Sequence, residues 1–129
     1  MPTITARLPT PIDEDLRRIL KARGEGPSEG VRRIVEEWWV GQVFKMIEFK
    51  DAPTGRRAAI RGGPDVWEVV SYWREYGDDK AGFHAHFGWT DPEALEEAIE
   101  YYHHFREEID RLISANEQYE RFLRAKLDG

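Results

Sequence analysis

The first forty residues are cut by proline and glycine into three pieces, each too short to build a core. Pro9 and Pro11 close an opening segment, and Gly24, Gly26 and Pro27 separate two stretches with helical spacing. Within Thr3-Ile4-Thr5-Ala6-Arg7-Leu8, polar and apolar residues alternate, so Ile4, Ala6 and Leu8 share one face of a strand. A helix can begin near Asp13, with Leu16, Ile19 and Leu20 on its apolar side. Ser28 is a good N-cap for the next helix, whose apolar stripe is Val31, Ile34, Val35 and Trp38. A strand and two helices in about forty residues bury too little surface to be stable alone. The segment must pair with a copy of itself or lean on the rest of the chain.

That rest changes character. Residues 44–49 and 56–60 flank Asp51-Ala52-Pro53-Thr54-Gly55 and read as a β-hairpin with a five-residue loop. After Gly62-Gly63-Pro64, Asp65 and Glu68 have capping-box spacing before a stripe of Val66, Val69, Val70 and Trp73. Gly77 ends that helix, and Asp78 or Asp79 can cap a short one through Phe87. Thr90-Asp91-Pro92-Glu93 opens the last helix, with proline in its first turn. Its three-and-four spacing runs to about residue 126, on the order of 50 Å, with Ser114-Ala115-Asn116 the expected place for a bend. The fold expected is mainly α with short β segments. Residues 1–43 form one domain and 44–129 a second, a hairpin plus a helix-turn-helix-like three-helix unit with a long C-terminal helix.

Charge distribution restricts function. The chain carries −6 overall, but residues 1–50 sum to +1, 51–90 to −1 and 91–129 to −6. Any contact with a polyanion therefore belongs to the front of the chain. There is no cysteine, which excludes disulfides and thiol chemistry. Without an apolar run long enough to span a bilayer or a signal-peptide pattern, the expectation is a cytoplasmic protein with no membrane partner. No nucleophilic triad or phosphate-binding glycine loop occurs, so an enzyme is not expected, nor is a cofactor.

Residues Thr3 to Pro9, the helix from Pro11 to Arg23 and Gly26-Pro27-Ser28 together resemble the CopG/Arc/MetJ-like ribbon-helix-helix family of repressors and antitoxins. The resemblance implies a dimer whose two N-terminal strands pair and lie in the major groove. It makes Thr3, Thr5 and Arg7 the base-reading positions, chemically apt because arginine bonds guanine acceptors and threonine meets a thymine edge. Ser28 and the free amides beside it would hold a backbone phosphate, helped by Arg32 and Arg33. The competing reading is a strand that only joins the dimer, with Arg7 solvated. Glu25 and Glu29 flank the phosphate position and oppose it, so binding is expected to be salt-sensitive.

The second part, through Arg61-Gly62-Gly63-Pro64-Asp65-Val66-Trp67-Glu68, Asp91-Pro92-Glu93, Tyr101-Tyr102 and Glu107-Glu108-Ile109-Asp110, resembles a small VapB-like antitoxin domain of helix-turn-helix shape. That likeness implies a toxin partner, with a PIN-like ribonuclease the expected kind. Groove reading by the last helix is disfavoured, because Glu93, Glu96, Glu97 and Glu100 would approach phosphates. Its acidic side chains Glu107, Glu108, Asp110, Glu117 and Glu120 suit a basic partner groove instead, or else form a solvated face.

The expected function is an antitoxin-type transcriptional regulator that binds the operator of its own gene as a homodimer or higher oligomer. An assembly module without DNA binding is the alternative, and a small-ligand sensor ranks third. Among the aromatics, Trp38 and Trp73 are expected in the core, with Trp39 a contact between halves or subunits; Trp67 and Trp89 carry no assignment. The pairs His84/His86 and His103/His104 read as ordinary histidines. Glu100 and His103 have a metal-site spacing, but on one helix only, and no metal is expected.

Overall fold

The computed structural model describes residues 2–77, 79–86 and 91–128, apart from the side chains of Lys80 and His86. The chain divides after Gln42 into two compact units, one residue from the boundary read in the sequence.

In the first unit, residues 2–9 belong to no helix or strand. A lone strand has no ladder to join, so the alternation of residues 3–8 has no structural expression in one copy. Helix α1 spans Thr10–Ala22, starting before Asp13, with Pro11 in its first turn and Asp13 N–H donating to Pro9 O at 3.0 Å. Gly24, at φ +77°, turns the chain out of the helix, and Glu25 N–H donates back to Leu20 O at 2.9 Å.

Helix α2 spans Pro27–Val43. It begins with Pro27, whose fixed φ suits the first helical position, so Ser28 lies inside the first turn and does not cap it. The covered side of α2 is Gly30 and Val40, with Arg33 and Glu37 half-buried. Leu20 of α1 sits against Gly30, where a Cβ would come within 2.5 Å of its methyl groups. The expected core stripe faces the other way. Val31, Ile34, Val35 and Trp38 are 40–65% exposed, and Ile19 on α1 is 50% exposed. Trp38, expected in the core, is uncovered in a single chain, whereas Trp39 is half-buried.

The second unit opens with an antiparallel hairpin, β1 (Ile47–Ala52) and β2 (Gly55–Ile60), in which Ile47 pairs with Ile60 and Ala52 with Gly55. The loop is Pro53-Thr54, two residues where five were expected; Asp51 and Ala52 stay in the ladder, and Gly55 closes the turn at φ +125°. Helix α3 (Val66–Glu75) buries Val66, Val69 and Val70 as its spacing predicts, with Trp73 half-buried. Glu68 accepts from Asp65 N–H at 3.4 Å, the reciprocal arm of the capping box. Asp79 accepts from Gly82 N–H at 2.9 Å and opens α4 (Lys80–His86), which buries Phe83 edge-on to Tyr76. Asp78 lies outside the described residues, as do Phe87 to Thr90, which include Trp89.

Helix α5 spans Pro92–His104, capped by Asp91, which accepts from Glu93 N–H at 2.8 Å. Helix α6 spans Arg106–Asp128. The expected single helix therefore breaks at Phe105 (φ −125°, ψ 44°), while residues 114–116 remain helical. Neither glycine nor proline causes the break. It lets α5 and α6 both pack on α3, seating Leu95, Ala98 and Tyr102 from one and Ile109 and Ile113 from the other in a common core. Each fully buried aliphatic side chain there contributes about 1.5–3 kcal/mol, enough together to outweigh one interrupted helical turn. Tyr101 completes the core against Phe44, Phe49 and Phe105, its ring centroid 4.6 Å from that of Phe105.

Candidate functional site

Thr3, Thr5 and Arg7 are all exposed on the N-terminal segment ahead of α1, and Arg7 makes no ion pair among the described residues. Ile4 is 96% and Leu8 46% exposed, so the apolar half of the alternation is as bare as the polar half. Ser28 is exposed in the first turn of α2. Because Pro27 has no N–H, the amides of Ser28 and Glu29 are those the first turn offers, and the Glu29 carboxylate stands in the same turn.

The three basic or acidic neighbours of that turn separate by role. Arg33 donates to Glu25 at 2.7 Å and to Glu37 at 3.0 Å, with its side chain only 26% exposed. The Glu25 carboxylate raises the Arg33 pKa against the opposing effect of burial, and Arg33 in turn holds the Glu25 carboxyl below its usual range. Arg33 is thus committed to holding α2 and the preceding turn together. Glu25, also bonded to Arg23 at 3.0 Å, is charge-compensated where the sequence suggested open repulsion of phosphate. Arg32 differs: its side chain is 74% exposed and pairs with Glu36 at 3.2 Å, a surface contact worth little and easily exchanged for a phosphate.

The acidic residues of α6 also divide. Asp110 accepts from the Tyr102 hydroxyl at 2.8 Å and from Arg74, whose guanidinium lies over the Tyr102 ring 4.9 Å from its centroid. The Tyr102 hydroxyl, then Arg74, hold the Asp110 carboxyl below its ordinary range. For Arg74, burial is outweighed by its bonds to Asp110 and Tyr102, and its pKa rises. Glu108 accepts from the Tyr101 hydroxyl at 3.2 Å. These two acids tie α6 to α5 and α3. Glu107 and Glu117 are exposed, and Glu120 is exposed with a 3.4 Å contact from Asn116.

On α5, Glu97 accepts from both Lys45 N–H and Met46 N–H at 2.6 Å, anchoring the approach to β1. No local signal marks that pairing across fifty residues. Gly30 is likewise absent from the sequence reading, though a glycine within an otherwise good helical run is a cue to close packing.

A shallow cleft of about 360 Å³ lies between Met46, Ile60, Arg61, Pro64, Asp91 and Ala94. Its exposed cation, Arg61, is already bonded to Lys45 O at 2.9 Å. His103 Nδ1 lies 3.2 Å from the Arg106 guanidinium, and His84 stacks edge-on to Phe83. Among the described residues no group of three or more His, Asp or Glu side chains is placed to hold a metal ion. Among the same residues no helix is long and apolar enough to cross a membrane. Comparison with known proteins adds no relative: no family model matches the chain, and no curated protein or solved structure matches it significantly.

Proposed function

We propose that this chain is an antitoxin-type transcriptional regulator of ribbon-helix-helix kind, acting in the cytoplasm as a homodimer on the operator of its own gene. The observation that carries the reading is the outward stripe of α2. Val31, Ile34, Val35 and Trp38 have helical spacing suited to a core yet present on the order of 400 Å² of apolar surface, as large as the principal patch of a typical monomer. A second copy of the same stripe covers it, and the dimer then brings two N-terminal segments together as a ribbon. Ile4 and Leu8 turn inward in such a ribbon, while Thr3, Thr5 and Arg7 face the groove.

Phosphate contact in this reading falls to the Ser28 amide and hydroxyl and to Arg32, because Arg33 is already bonded to two carboxylates. A protein toxin, of basic ribonuclease type, would meet exposed acid on α6, Glu107 foremost, since Glu108 and Asp110 serve the fold. One observation favours the alternative, an assembly module without DNA binding: Arg7 and Arg32 are the only cations of the expected contact set left available.

A gel shift with DNA from upstream of the chain's own gene tests the reading at two salt concentrations. The expected outcome is a sequence-specific shift, weakened by salt and abolished by Arg7→Ala. Arg32→Ala should weaken binding evenly across sequences and flatten the salt dependence by about one unit of slope for each phosphate no longer neutralised. A shift indifferent to Arg7→Ala, or none, leaves the assembly module. The toxin claim stands or falls separately, on a basic nuclease-like protein encoded next to the gene and co-purifying with the chain.

A further inference from the structure

The most basic stretch of the chain lies in its second unit. Divided at element boundaries, residues 1–44 carry seven bases and seven acids, and residues 62–129 seven bases and sixteen acids. Between them, residues 45–61, which contain β1 and β2, carry five bases and two acids. The hairpin thus holds +3 beside a segment of −9.

Register sets cations on one side of the ladder. Lys50 lies directly opposite Arg57, and Glu48 opposite Ala59. Arg61 N–H donates to Met46 O at 2.8 Å, so the pairing continues and Arg61 takes the same side as Arg57. Like charges directly opposite each other destabilise a sheet, and the chain does little to relieve this pair. Arg57 donates to Thr54 O at 3.2 Å, Thr54 Oγ1 at 2.9 Å and Arg56 O at 3.2 Å. All three are neutral oxygens, and Arg57 has no carboxylate partner among the described residues. Lys50 meets Asp65 at 3.1 Å with its side chain 48% exposed, and Arg61 meets Glu48 at 3.8 Å with 57% exposed. Such surface pairs are worth little and exchange readily. Lys45, just ahead of β1, is exposed and makes no ion pair among the described residues.

We infer that this side of the hairpin binds the phosphate backbone of duplex DNA, independently of sequence. Charge and shape select the occupant. Cations left without carboxylates suit a dense polyanion, and guanidinium forks match phosphate oxygens. From Lys50 to Gly55 no residue is buried, so the turn end stands clear of the core. A ribbon of two strands about 4.8 Å apart is a shape that the major groove, about 12 Å wide, admits. The proposed function supplies the identity of the polyanion, and in that respect the inference rests on it. The hairpin adds Lys45, Lys50, Arg57 and Arg61 to Arg7 and Arg32, the available cations of the first unit's contact set.

The test uses the full-length chain with Arg7→Ala and Arg32→Ala throughout, so that those two cations do not contribute. Anisotropy of a labelled DNA duplex of random sequence is followed from about 50 to 200 mM salt. Lys50→Gln with Arg57→Gln should lower the slope of log affinity against log salt by about 1.8 for each copy in contact, about 0.9 for each phosphate released. Glu48→Gln removes the acid on the same side and should tighten binding, a gain that a misfolded chain does not give. The RNA duplex of the same sequence should bind more weakly, because its major groove is too narrow for the ribbon. An unchanged slope in the double variant, no binding with the hairpin intact, or RNA bound as tightly as DNA each overturns the inference. So does a double variant that binds DNA as before but loses self-association in sedimentation velocity, which makes the acidic helices of a second copy the occupant. The operator gel shift on Arg7→Ala is independent of these readouts. Operator reading can fail while the random duplex still binds through the hairpin, and the reverse, so the two failures are distinguishable.

Discussion

Replacing Trp38 with alanine removes the largest side chain of the uncovered α2 stripe. Trp38 is 65% exposed in a single copy. A tryptophan offers up to about 250 Å² for burial, so pairing withdraws roughly 160 Å² of it from water, about 4 kcal/mol at 25 cal/mol per Å². Truncating a central aromatic anchor at an interface costs about 2–4 kcal/mol. Twofold symmetry loses the side chain twice, so the dimer should weaken by at least about 4 kcal/mol, nearly a thousandfold in its dissociation constant. The monomer should be indifferent, because an exposed side chain outside the core changes stability by about 0.5 kcal/mol or less. Sedimentation velocity across a concentration series reads the first quantity, and thermal melting of the dilute, monomeric chain reads the second. If Trp38→Ala associates as tightly as the parent, or if the parent is monomeric at every concentration, the argument from the uncovered stripe is wrong. If dilute Trp38→Ala melts well below the parent, Trp38 serves the monomer's own core.

Three further substitutions test the packing. Gly30→Ala places a Cβ 2.5 Å from both Leu20 methyl groups and 2.9 Å from its Cγ, so Leu20 must move. An overpacking penalty of about 1–3 kcal/mol exceeds the roughly 1 kcal/mol helix-propensity gain, and urea unfolding should show a net loss that Leu20→Val partly restores. Glu97→Ala strands two backbone N–H groups that share one carboxylate at 2.6 Å; a loss of about 2 kcal/mol is expected in denaturant melts, with Glu97→Gln intermediate because its amide can satisfy only one of them. Asp110 has a folded pKa below its ordinary value, so its contribution is fully present above the unfolded value of about 4 and disappears as pH falls through the folded pKa. The stability difference between the parent and Asp110→Asn, measured by urea unfolding from pH 7 to pH 2, should therefore shrink on acidification; a difference that persists unchanged at the acid end contradicts the ionised contact with Tyr102 and Arg74.

The signals that carried over from sequence to structure are short-range ones. Asp91-Pro92 starts α5, Asp79 opens α4, the Asp65/Glu68 spacing starts α3, and Gly24 stops α1, because each acts on backbone groups within a few residues. The stripe of α3 is buried as its spacing indicates. Candidate site residues could be picked by type but not by availability. Arg33 looked like Arg32, and Asp110 looked like Glu107. What separates them is a carboxylate eight residues back in one case, and an arginine and tyrosine from two other helices in the other.

The opening feature of the chain, a proline- and glycine-divided front too small for its own core, was determined by sequence alone, because turn chemistry and the number of apolar residues are local quantities. So were the placement of acid toward the C-terminus and the helical period of α2 and α6. Tertiary structure decided which face of each period is covered. The stripe of α2 faces outward while Gly30, set against Leu20, lies on the covered side; the long last helix breaks at Phe105 to pack twice on α3. Periodicity states that a face must be covered, but what covers it is a contact between distant residues, or between chains. That depends on the shapes of both surfaces, which no single stretch of sequence contains.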